Sequence, residues 1–118
     1  MSGQTSYHAG VAAEDIVARD YETRAHAIAA RRWRGAAGEI DLIARDGDTV
    51  VFVEVKKSRS FGAAAWRLGA RQMERICASA SEFLAGEPRG QLTDVRFDLA
   101  LVNGNGGMRV IENAFMEA

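Results

Sequence analysis

Hydrophobic residues are spaced along this chain in two alternating rhythms, and the rhythms divide it into elements. Residues 7–24 carry Val17, Ala18 and Tyr21 as an apolar stripe among good helix formers, with Ser6 as a candidate cap, which predicts a first helix. Residues 26–33 read as a weak strand. EIDLIAR (39–45) and TVVFVEV (49–55) are rich in β-branched residues and flank Asp46-Gly47-Asp48, the pattern of a hairpin. Residues 63–84 place Trp66, Leu68, Met73, Ile76, Ala80, Phe83 and Leu84 at helical intervals and run into Gly86 and Pro88, which predicts a second long helix. VRFDLALV (95–102) and MRVIENAF (108–115), joined by Asn-Gly-Asn-Gly-Gly, predict a second hairpin. The expected order is α-β-β-β-α-β-β, an α/β arrangement with a mixed central sheet flanked by helices.

The turn fixes the register of the first hairpin. With Gly47-Asp48 at the centre of a type II′ turn, Asp46 pairs with Thr49 and paired numbers sum to 95, so Asp41 lies opposite Glu54 and Glu39 opposite Lys56. A three-residue turn would give a sum of 94 and offset those pairs by one. In the first register the four charged residues share a face with Ile43, Phe52 and Val50, while Ile40, Leu42, Val51, Val53 and Val55 occupy the other. Both faces are apolar, which places the charges at the rim of a core.

Two carboxylates about 5 Å apart repel by roughly 3 kcal/mol at an effective dielectric near 20. A raised pKa on one acid, a salt bridge to Lys56 or a hard divalent cation would each offset that repulsion. The cation also accounts for the lysine: on a strand, Glu54 and Lys56 point the same way roughly 7 Å apart, so the acid holds metal while the ammonium reaches a phosphate or the attacking water. Glu14 is a third acid. At about 100° per residue it falls among Val17, Ala18 and Tyr21, on the helix face that packs on the sheet, where a buried charge needs a partner.

Composition narrows the function classes. The 118 residues suit one domain, with 47% hydrophobic and 26% charged residues. A single cysteine, Cys77, excludes an internal disulfide, and no Cys/His spacing suits zinc. Without a leader pattern or a long apolar run, the expectation is a cytoplasmic protein with no membrane partner. The net charge of −1 lacks the overall basic signature of a nucleic-acid binder. The charge is nevertheless polarised: residues 55–75 hold Lys56, Lys57, Arg59, Arg67, Arg71 and Arg75 against Glu74 alone. Arg67, Arg71 and Arg75 recur every four residues, as phosphate-tracking residues or as a solvated helix face.

Glu14, GEIDLIA (38–44), VFVEVK (51–56), Phe61-Gly62 and RFD (96–98) together resemble the bacterial YraN family, in order and over nearly the whole chain. That family is related to Holliday-junction resolvases in the PD-(D/E)XK nuclease superfamily. The resemblance implies a restriction-endonuclease-like core and Mg²⁺- or Mn²⁺-dependent cleavage of DNA, structure-specific or end-dependent, with branched DNA among the candidate substrates. It makes Asp41 the acid of the PD motif, Glu54 and Lys56 the ExK pair and Glu14 the helix-borne acid. A metal would be held by Asp41, Glu54, the Val55 carbonyl and Glu14, with Lys57, Arg59, Arg67, Arg71 and Arg75 on DNA phosphates. Resolvases generally act as dimers, so a homodimer is the implied assembly. Ile40 stands where the superfamily name has proline, Ala13 where a glycine is common, and Gln72 where a lysine is common, a change that bears on substrate affinity more than on chemistry. The competing reading is a non-catalytic DNA-binding or partner-binding module that retains the fold.

Among the remaining polar and aromatic residues, Glu39 reads as a lysine partner or rim acid, and Asp98 as a structural partner of Arg96. His8 and His26 have no partner motif. Cys77 reads as a small core residue, and Trp33 and Trp66 as packing groups.

Overall fold

A computed structural model describes the backbone of residues 3–117, and the side chains of residues 12–115 apart from Ala63 and Ala64. Helix α1 (Gly3–Thr23) is followed by strands β1 (Ala27–Gly35), β2 (Gly38–Asp46) and β3 (Thr49–Lys57). Helix α2 (Ala70–Leu84) then crosses to β4 (Val95–Val102), which turns into β5 (Met108–Ile111). The expected order of elements is the observed one. The sheet runs β1-β2-β3-β4-β5, antiparallel throughout except for the parallel pair β3/β4 that α2 connects.

The two helices cover opposite faces. Ala13, Val17, Ala18 and Tyr21 of α1 pack on Leu42, Ala44, Val51, Val53, Ala100 and Val102. Ala80 and Leu84 of α2 pack on Ile40, Ile43, Val50 and Phe52. The central strands β2 and β3 therefore present apolar residues on both sides, which is why they read as nearly continuous hydrophobic runs. Asp46 pairs with Thr49, Gly47 has φ +60°, and Leu42 lies opposite Val53, so the register of 95 holds from the turn to Leu42. Beyond Leu42↔Val53 the two strands part, and the second half of β3 keeps only its pairing with β4, which runs from Val50 to Lys57.

Several expectations change. Ile40 belongs to the α2 face together with Ile43, whereas Leu42, two residues from Ile40, belongs to the α1 face. Strict alternation fails at Asp41, where β2 leaves β3 and where the neighbouring Arg32 of β1 takes φ +52°. Residues 63–84 are not one helix: Ala63–Trp66 form a single 3₁₀ turn and α2 starts only after Gly69. The Trp66 indole N–H donates to the Phe61 carbonyl at 2.9 Å, folding the segment back on itself before the helix begins. Ser6 lies inside α1, which starts at Gly3, so it is no cap. The last strand ends at Ile111, and Ala114–Glu117 form another 3₁₀ turn. Cys77 is exposed, on the solvent side of α2, because Ile76, Ser79, Ala80 and Leu84 supply its buried face. Trp33 packs edge-on against Phe83, and Trp66 stacks on Phe61. The His8 side chain lies outside the described residues.

At the hairpin end of the sheet a polar network ties the layers together. Asp98, 1% exposed, accepts hydrogen bonds from the Tyr21 hydroxyl (2.6 Å), from Arg96 Nε (2.9 Å) and Nη2 (3.0 Å), and from the Asn113 N–H (3.2 Å). Arg96 also donates to Asp46 and contacts His26. A buried carboxylate is tolerable because its acceptor sites are filled and a guanidinium neutralises it. Asp98 is therefore structural, and His26, 8% exposed, is part of the same network.

Candidate metal centre

The parting of β2 from β3 creates the site. Where the ladder would continue, the Val55 N–H donates 2.8 Å to Asp41 Oδ2, so the Asp41 side chain replaces a missing backbone acceptor. Asp41 thus stands in the fork, reachable from both faces of the sheet. From the α1 side comes Glu14, 8% exposed, and oxygens of Glu14, Glu39 and Asp41 lie within 4.8 Å of one another. From the α2 side comes Glu54, which hydrogen-bonds Asp41 and accepts from the Gln72 amide. The structure groups Glu14 and Glu39 with Asp41, and sets Glu54 and the Val55 N–H against Asp41. The signal for Glu39 is present in the sequence: it sits two residues before Asp41 on an alternating strand.

The β1–β2 turn is docked onto α2. Ser79 Oγ donates to the Gly38 carbonyl at 2.9 Å, and the Ala36 N–H donates to Glu82 at 2.8 Å. Gly38, at φ +145°, lies under Arg75, whose Cδ would be 2.7 Å from any Cβ placed there. Arg75 therefore lies over this turn and lines a cleft of ≈ 430 Å³ with Arg34, Gly38, Glu39, Asp41 and Glu54.

The electrostatics are those of carboxylates crowded without enough cations. Burial, and next the charge of Asp41, push the Glu14 carboxyl above its usual range. Its Oε1 is buried and has no hydrogen-bond partner. Burial also raises Asp41, opposed by the Val55 N–H. Glu54 is pushed up to about 7, by burial first and then by Asp41, while Arg75 and Gln72 pull the other way. Of the three responses foreseen for the acidic pair, a raised pKa is the one the geometry carries, because Glu54 is buried and hydrogen-bonds Asp41. Three carboxylates, Glu14, Glu39 and Asp41, converge within 4.8 Å, one of them with an orphaned buried atom, and Glu54 adjoins the group through Asp41; this donor chemistry fits a hard divalent cation.

Lys56 departs from its expected place opposite Glu39. Because β2 and β3 separate, Glu39 turns to Arg32 (3.7 Å) and Arg34 (3.6 Å) of β1, and Lys56 Nζ donates 2.6 Å to the Arg67 carbonyl. Two of its three ammonium hydrogens stay available. Nor do Arg67, Arg71 and Arg75 form one helical row: Arg67 precedes α2, Arg71 is on the exposed surface, and Arg75 alone of the three reaches the cleft. Lys57 and Arg59 border a different cavity, beside α1. Among the described residues no helix is long and apolar enough to cross a membrane.

Comparison with known proteins supplies relatives along the whole chain. The model of the uncharacterised protein family UPF0102 matches residues 13–102. A UPF0102 protein of Cereibacter sphaeroides is 66% identical over 115 residues, covering 98% of each chain. One from Ruegeria pomeroyi is 62% identical over 113 residues, covering 96% of this chain and 92% of its own. One from Dinoroseobacter shibae is 46% identical over 114 residues, covering 97% and 85%.

Proposed function

This chain belongs to the UPF0102, or YraN, family, and on that premise we propose that it is a Mg²⁺- or Mn²⁺-dependent nuclease that hydrolyses phosphodiester bonds in DNA. The observation that carries this reading is the fork: Asp41 between Glu14 on one side and Glu54 on the other, with Glu14 Oε1 buried and unpartnered. Asp41, Glu54, Glu14 and the Val55 carbonyl would hold the cation, and Glu39 adds a carboxylate to the set. When bound, such a cation supplies positive charge against the scissile phosphate and makes nearby water more acidic.

The chain's own groups divide the remaining work. Lys56, on the strand of Glu54 and already engaged at the Arg67 carbonyl, offers its other hydrogens to a phosphate oxygen or to the attacking water. Glu54, its carboxyl pushed up to about 7 by burial and Asp41, would give up its proton on taking a cation, which makes binding weaken as pH falls below neutrality. Arg75 over Gly38 is placed to clamp the phosphate that enters the cleft. Lys57, Arg59 and Arg71 contact flanking phosphates, which orients the strand without reading its sequence.

The test compares cutting of branched, flapped and linear DNA by wild type, Asp41→Ala and Glu54→Ala, beside a Mn²⁺ titration followed by thermal melting. A metal-dependent rise in Tm and metal-dependent cutting, both lost in Asp41→Ala, are expected; cutting that persists in both variants would refute the assignment. The alternative, a non-catalytic DNA- or partner-binding module, draws on Gln72, whose amide occupies an oxygen of Glu54. It predicts no metal-dependent rise in wild type.

A further inference from the structure

A second cavity of ≈ 500 Å³ opens at the carboxyl ends of the parallel strands β3 and β4, on the α1 side of the sheet. Its volume is within the range of about 300–1,000 Å³ usual for ligand sites, and the ends of parallel strands are where α/β sheets leave room for ligands. Ala13, Ile16 and Val102 make an apolar floor; Ala12, Lys57 and Arg59 stand at the rim. Neither cation has an ion-pair partner among the described residues. Gly106, at φ +84°, brings the β4–β5 turn against Ile16 and closes one side. Asn103 completes the wall: its carboxamide oxygen is taken by the N–H groups of Asn105 and Gly107, both at 2.9 Å, so only its amide hydrogens are left to donate.

This cavity is adjacent to the carboxylate centre. Ala13 precedes Glu14 on α1 and Lys57 follows Lys56 on β3, so both sites draw on the same helix and the same strand. An apolar floor gives nothing to a duplex, whose bases are stacked inside and which presents phosphates and groove edges outward. It does suit the flat, largely apolar body of a single base, with cations for the phosphates beside it.

We propose that this pocket receives one unpaired nucleobase of the DNA strand engaged at the carboxylate centre, with Lys57 and Arg59 holding the phosphates that flank it. The proposal rests on the DNA reading above and narrows it: the preferred substrate has an unpaired nucleotide, as at a flap, an overhang or a branch point, next to the bond to be cut.

Binding is measured by fluorescence anisotropy in Ca²⁺ with a blunt duplex and with the same duplex carrying a short single-stranded overhang. Wild type is expected to prefer the overhang by about tenfold, the ratio that about 1.4 kcal/mol of discrimination gives. Ala12→Phe, a change at an exposed position on α1 that fills the cavity mouth, brings the ratio close to one. A 2-aminopurine at the unpaired position changes emission on binding wild type and not on binding Ala12→Phe. In the double variant Lys57→Ala/Arg59→Ala the slope of log affinity against log salt falls by about 1.5. No overhang preference in wild type, or the same preference in Ala12→Phe, would overturn the proposal. A wild type that cuts none of these DNAs yet shows the Ala12→Phe-sensitive preference removes the nuclease reading and supports the pocket.

Discussion

Replacing Glu54 by glutamine tests the crowding at the fork without involving DNA. In the metal-free protein the Glu54 carboxyl is pushed from 4.5 up to about 7, and its proton bridges to Asp41. The folded state therefore binds a proton that the unfolded chain has already released between these two values, and linkage makes stability fall as pH rises through that window. Stability from the protonated pair is complete below pH 4.5 and gone above about pH 7. The shift corresponds to about 3 kcal/mol, reduced to about 1–2 kcal/mol by solvent screening in an open cleft. The substituted side chain would keep the geometry, its amide donating to Asp41 and its carbonyl accepting from Gln72, with nothing to titrate. In EDTA, Glu54→Gln is expected to match wild type near pH 5 and to exceed it by about 1–2 kcal/mol at pH 8, roughly 5 °C in Tm. Adding Mn²⁺ at pH 8 should invert the order, stabilising wild type and leaving the variant nearly unmoved. Denaturant unfolding at four or five pH values reads the difference directly. A wild-type-minus-variant difference that does not change between pH 5 and 8 would refute the account of the paired acids.

Other substitutions probe the surrounding frame. Glu14→Gln removes a buried carboxyl with an orphaned oxygen, so it should leave metal-free stability at pH 8 equal or higher and reduce the Mn²⁺-induced rise in Tm; an unchanged rise excludes Glu14 as a ligand. Asp98→Ala leaves Arg96 without its buried partner and should cost about 3–5 kcal/mol by urea denaturation. Tyr21→Phe deletes one donor to the same carboxylate and should cost less, about 1.5–3 kcal/mol. Gly38→Ala meets both a strained φ and the Arg75 side chain at 2.7 Å, so a loss of about 1–3 kcal/mol with weaker DNA binding is expected; unaltered DNA affinity would remove Arg75 from the clamp.

The hairpin and its acids are legible in the sequence because a period of two, read outward from one turn, assigns partners with little freedom. That register carries to Leu42↔Val53, one step short of Asp41 and Glu54, whose side chains then meet across the opening instead of as a ladder pair, and the helix angle alone turns Glu14 inward. What periodicity does not carry is the departure from regularity at Asp41. Alternation assumes that a ladder continues; here it stops at Leu42, so Ile40 changes face and Lys56 loses Glu39 as a partner. The start of α2 is hidden for a related reason. Residues 63–68 have helical spacing, but Gly69 and the Trp66 bond to Phe61 divert the chain, and spacing holds no information about such tertiary diversions. Cys77 points inward by residue type alone, whereas the stripe at 76, 79, 80 and 84 decides which side of α2 faces the sheet.

Asp41 is a fastener as well as a ligand candidate: its carboxylate closes the ladder at Val55 between neighbours, Leu42 and Val53, that are wholly buried. Asp41 and Glu54 are therefore mounted on strands whose adjoining residues Leu42 and Val53 are fully packed in the core. By contrast, the connection from β3 to α2, which carries Phe61, Trp66 and Arg67, is joined to the centre through little more than a lysine and a main-chain carbonyl. Division of labour follows from that construction. On the nuclease reading proposed above, substrate preference is free to drift through changes in the connecting segment, while a change that loosens the fork is felt first as a loss of the fold itself.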